Sequence, residues 1–75
     1  MANKENFAFN RIKAVLAEKH VLNQDLAAAL EVTTQAVSAW CTNSKQPSVK
    51  TLYDIAKFLK VDIRELLVPT SWPKD

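Results

Sequence analysis

Seventy-five residues leave room for one core, small enough to want dense helix packing or a partner subunit. A single cysteine, Cys41, excludes an internal disulfide, and with the single histidine, His20, it excludes a zinc site of the usual Cys/His kind. A net charge of +2 is compatible with nucleic acid but too small for binding by charge alone, and the absence of glycine removes the phosphate loop and the dinucleotide fingerprint.

Segment 1–7 opens the chain with polar residues and is expected to be flexible. From Phe9 the pattern turns helical. Ile12, Val15 and Leu16 recur at three- and four-residue spacing, predicting a first helix over 8–19 with Asn6 or Asn10 near its start. After His20-Val21-Leu22, a second helix is predicted from Asn23 or Gln24 to Glu31. Asn23 is the candidate N-cap, Asp25 suits the positive end of the dipole, and Leu26, Ala27 and Leu30 form one face. Val32-Thr33 reads as a tight turn, and Thr33 or Thr34 can cap a third helix reaching Thr42. That helix turns Val37, Trp40 and Cys41 inward, and Thr34, Gln35, Ser38, Ala39 and Thr42 outward. Residues 43–47 form a loop.

Ser48 caps a fourth helix running to about Lys60, with Val49, Leu52, Ile55, Ala56 and Leu59 as its apolar stripe. Asp62 and Glu65 have the spacing of a capping box for a short fifth helix ending near Val68. Pro69 and Pro73 make 69–75 an irregular tail. The domain therefore spans 8–68, is all-α, and needs no strand.

Two short helices joined by a tight turn, the second with a polar outer face, are what a helix-turn-helix requires, and Ala27, Ala28 and Ala29 are small enough for a close crossing. A longer string is more specific: Gln24-Asp25-Leu26-Ala27, Leu30, Val32, Val37-Ser38-Ala39-Trp40, Pro47-Ser48, Thr51-Leu52, Ile55-Ala56, Leu59, Val61 and Arg64-Glu65-Leu66-Leu67. This string resembles the Cro/CI repressor-type (Xre) helix-turn-helix family over roughly 9–68. The resemblance implies a compact five-helix, lambda repressor-like bundle whose homodimer reads a palindromic operator in double-stranded DNA, with helix three in the major groove. It implies a repressor or controller of transcription in the prokaryotic cytoplasm, needing no cofactor, metal or membrane. No nucleophile–base–orienter set is present, so no enzyme is expected. The alternative is a protein-interaction module, such as an antitoxin, that neutralises a partner through apolar residues near the C-terminus.

The chain departs from the family pattern in three places. Glu31 stands where the turn usually has Gly, which demands a backbone still right-handed there and adds a negative charge close to DNA. Asn43 replaces the usual Gly after helix three and is expected to replace it in kind, since Asn tolerates the left-handed conformation. Leu16 and Cys41 replace an Arg and a Glu that form a buried ion pair in many members. An exchange of both partners for apolar packing is tolerated, so Leu16 is expected to meet Cys41.

Site residues follow from the same resemblance. Gln35 is expected to bond an adenine edge, and Thr34 and Ser38 either reach base edges or serve as cap and backbone-bonded hydroxyl. Ala39 stands where many members have a long polar reader. Asn23, Gln24, Thr33, Thr42, Asn43, Ser44 and Lys45 are the expected phosphate contacts. Ile63, Leu66, Leu67, Val68 and Trp72 are the expected dimer interface. Trp40 reads as core rather than a base-stacking residue, and Cys41 as packing rather than a redox sensor.

Overall fold

The computed structural model describes residues 7–73; residues 1–6 of the predicted flexible segment and 74–75 of the predicted tail lie outside it. The described chain forms α1 (Ile12–Glu18), α2 (Asn23–Leu30), α3 (Thr34–Cys41) and α4 (Val49–Leu59), followed by a single 3-10 turn at Ile63–Leu66. The five-helix expectation is thus corrected to four α-helices and one turn. The reason lies at Asp62, whose carboxylate does not form the predicted box with Glu65. It accepts instead from the Arg64 amide (2.8 Å) and from the Arg64 guanidinium (2.9 and 3.1 Å). Leu66 then drops into the core, the chain extends, and Leu67 pairs with Asn10 in an isolated antiparallel bridge. The Arg64 hydrogen bonds hold the Asp62 carboxyl down at about 2, below the ordinary 3.8. Its contribution to stability is therefore complete above about pH 4 and fades as pH falls towards 2.

α1 begins later than periodicity predicts. The Asn10 side chain accepts from the Ile12 amide (3.0 Å), which starts the helix there. Before it the chain is extended, with Arg11 N–H donating to the Leu66 carbonyl (2.8 Å) and Val68 N–H to that of Phe9 (3.1 Å). α2 is also capped differently from the prediction. Leu22 is the N-cap, its amide donates to the Asp25 carboxylate (3.1 Å), and Asn23 lies inside the helix. Thr33 and Ser48 do cap α3 and α4, accepting from Ala36 (3.1 Å) and Thr51 (3.0 Å) amides.

Each helix contributes one apolar face to a common core. α1 supplies Ile12, Val15 and Leu16; α2 supplies Leu26 and Ala27; α3 supplies Val37 and Trp40; α4 supplies Leu52, Ile55, Ala56 and Leu59. Trp40 is core, as its phase with Val37 predicts. Val49, placed in the apolar stripe, is exposed, because it occupies the first position of α4 before the stripe meets its neighbours. Of the three consecutive alanines only Ala27 is buried; Ala28 and Ala29 face solvent.

A chain without glycine still needs left-handed residues to turn out of its helices, and His20, Glu31, Asn43 and Lys60 take that role at φ 58–62°. Asn43 behaves as expected. Glu31, expected to stay right-handed, does not: it ends α2 at φ 60°, where its amide bonds back to the helix. A side chain with a Cβ costs roughly 1–2 kcal/mol in this region, partly offset by its smaller entropy when unfolded. Glu31→Gly is accordingly expected to stabilise the fold by about 1 kcal/mol, raising the melting temperature by about 4–8 °C in calorimetry. An unchanged or lower midpoint would show that the glutamate earns its place by contacts instead.

Candidate nucleic-acid interface

α2 and α3 meet across the turn at Glu31–Thr33, with Ala27 buried on one side of the crossing and Ala36 half-buried on the other. Because Val37 and Trp40 are held in the core, the phase of α3 is fixed, and the opposite side of its first two turns faces solvent. Thr34, Gln35 and Ser38 are exposed there, and Ala39 is half-buried beside them. Among the described residues none of the three polar side chains has an intramolecular hydrogen-bond partner. Nothing on α3 carries a charge. The surface can thus offer hydrogen bonds and methyl groups but no cation.

The loop after α3 is gathered on one carbonyl. The oxygen of Ala39 accepts from the amides of Ser44 (3.0 Å) and Lys45 (3.2 Å), and from the hydroxyls of Thr42 (3.2 Å) and Ser44 (3.3 Å). Thr42 and Ser44 are exposed, and both hydroxyls lie within hydrogen-bond distance of this helix carbonyl, a bond they give up when they donate to a phosphate instead. Lys45 is exposed and makes no ion pair among the described residues. The half-exposed Asn43 has its side-chain amide turned to the N-terminal segment, bonding Phe9, Asn10 and Gln46.

At the start of α2, Asn23 and Gln24 are exposed, and the Asn23 Oδ1 lies 3.7 Å from the Cys41 thiol. Burial pushes that thiol up from its ordinary value, and the nearby Lys13 charge opposes the shift. Cys41 is therefore a packing residue rather than a thiolate.

The C-terminal residues separate into three groups. Leu66 is fully buried, and this corrects its assignment to an interface, since it has no surface to offer a partner. Ile63 and Val68 are half-buried, whereas Leu67 (42% exposed) and Trp72 (74%) face solvent. Residues 68–73 carry no regular structure. No described helix is long and apolar enough to cross a membrane.

Comparison with known proteins matches the helix-turn-helix family over residues 12–66, from the start of α1 through the 3-10 turn. Among solved structures, a protein from Bacteroides fragilis to which DNA binding is attributed superposes with a TM-score of 0.79 at 43% identity, over 80% of this chain and 97% of that one. A transcriptional regulator from Listeria innocua shares the fold at a TM-score of 0.65 and 22% identity, over 88% of this chain and 67% of its own. No match was found among curated proteins.

Proposed function

We propose that this chain, which belongs to the Cro/CI-type helix-turn-helix family of DNA-binding regulators, represses or tunes transcription by laying α3 in the major groove of a roughly palindromic operator. The observation that carries this reading is the exposed, unpartnered, uncharged face of Thr34, Gln35 and Ser38 on a helix whose other face is locked in the core. Such a face discriminates by hydrogen bonds and methyl contacts, while affinity has to come from phosphate contacts around it. Lys45, the N-terminal turn of α2 with Asn23 and Gln24, and the cap residue Thr33 flank it.

Selection from random duplexes with the full chain tests the reading directly. Gln35→Ala should weaken binding to the selected site by about 1–3 kcal/mol and relax preference at one base pair. Lys45→Ala should weaken all sequences alike and lower the salt dependence by about one ion. Equal losses on the selected site and on random DNA for both variants would sink the assignment of α3 as the reading helix.

A cation-free reading helix holds one half-site weakly, so the proposal includes a homodimer that spans two half-sites about 34 Å apart. Exposed Leu67 and Trp72, with Ile63 and Val68 beside them, are the surface available for it. Leu67→Glu should lower operator affinity while leaving the thermal midpoint unchanged. Sedimentation with and without a palindromic duplex checks it, and one-to-one binding by a strict monomer would overturn it. The same exposed pair is what favours a second reading, in which a different protein, such as a toxin, occupies this surface. In that case Leu67→Glu would abolish partner binding but leave DNA affinity intact.

A further inference from the structure

Asn43 does more than end α3. At φ 62° a glycine would serve the backbone as well, so a side-chain amide at this position calls for another reason. Its Oδ1 accepts from the amides of Phe9 (2.9 Å) and Asn10 (3.0 Å) and from Gln46 Nε2 (3.1 Å), and its Nδ2 donates to the Asn10 carbonyl (3.2 Å). Asn10 answers from the other side. Only 4% exposed, it donates through Nδ2 to the Trp40 carbonyl (3.0 Å) and to Gln46 Oε1 (2.7 Å). The loop after α3 is therefore tied, at both of its ends, to an extended segment more than thirty positions away in sequence. That segment is itself held on its far edge by Leu66 and Val68.

We propose that Asn10, Asn43 and Gln46 are positioning residues for DNA binding, fixing the loop that carries Lys45 at one height against the reading face of α3. The inference rests on the DNA-binding reading above. The Ser44 and Lys45 amides hold the start of the loop to α3, but residues 43–47 have no regular structure, and without the side-chain ties the stretch through Gln46 would have to be ordered each time Lys45 met a phosphate. With the loop fastened beforehand, the phosphate contact and the base contacts share a single register. None of the three amide side chains needs to touch DNA for this.

The test is equilibrium binding of the full chain to its selected duplex over a range of salt concentrations. Asn43→Gly keeps the left-handed helix stop, so the chain should still fold, with a midpoint lowered by the lost side-chain hydrogen bonds; measured well below that midpoint, operator affinity should fall roughly tenfold and the salt slope drop by about one. In a Lys45→Ala background the same substitution should cost less than about twofold, because it acts through that lysine. Gln46→Ala leaves the left-handed backbone untouched, should follow the same pattern, and decides the question if Asn43→Gly fails to fold. The inference is overturned if the cost persists undiminished in the Lys45→Ala background, or if neither variant changes affinity. If Lys45→Ala alone changes neither affinity nor slope, the phosphate assignment fails first and the inference falls with it.

Discussion

Leu16→Arg is expected to lower the stability of the fold by about 3–5 kcal/mol, since it puts an unpaired charge where nothing can receive it. Leu16 is 3% exposed and packs in the core cluster to which all four helices contribute. Against a total of about 5–15 kcal/mol for a small domain, that loss is a large fraction of what holds the chain together. The family resemblance sets position 41 opposite, where Cys41 packs half-buried against the same cluster. Leu16→Arg combined with Cys41→Glu should therefore recover most of the loss, with the glutamate partly solvated and the ion pair correspondingly tolerant. Urea titration followed by circular dichroism measures all three proteins on one scale. A double variant no more stable than Leu16→Arg would show that the two positions do not meet.

Leu66→Ala should cost about 2–5 kcal/mol, through lost burial and the cavity it leaves. The neighbouring Leu67→Ala should change stability by no more than about 0.5 kcal/mol, the ordinary range for a surface position. The contrast is informative because the two leucines are adjacent, equally apolar and indistinguishable by composition. Leu66 is completely enclosed and its carbonyl receives the Arg11 amide, so it closes the core and pins the N-terminal segment in one step. Thermal melts of the two variants side by side decide it. A cooperative fold that survives Leu66→Ala at full stability would return that residue to the surface.

Much of the fold is legible in the sequence, for reasons that can be named. Ser48 and Thr33 announce helix starts because a hydroxyl is needed to accept the orphan amides. The periodicity of Val37 with Trp40, and of Leu52, Ile55, Ala56 and Leu59, yields two core faces because burial selects side chains by phase. Other features escape that logic. Nothing in the pattern distinguishes Leu66 from Leu67, since the 3-10 turn and the bridge beyond it break helical phase. The Asn10–Asn43–Gln46 network joins residues over thirty apart, and periodicity carries no information at that range. Asn43 reads correctly as a left-handed residue but not as a clamp, because its backbone role is local and its side-chain role is not. Gln35, Thr34 and Ser38 are read correctly as outward-facing; the base contacts proposed for them belong to a complex, outside the chain's own pattern.

The helix exits of this molecule carry a consequence for how it meets a duplex. Induced fit in a small protein usually works through joints that can swing, and glycine is the residue that lets them do so. Here every left-handed exit is built from a side-chain-bearing residue, with far fewer backbone settings available, and one of them is latched by its own amide to another part of the chain. A reader with stiff joints arrives in a fixed shape. The accommodation then falls to the DNA, whose groove width and bending cost depend on base sequence even at positions no side chain touches. On the proposed dimeric reading, part of the discrimination is accordingly expected at the untouched centre of the site, where flexible and rigid base steps would differ in affinity for one and the same protein surface.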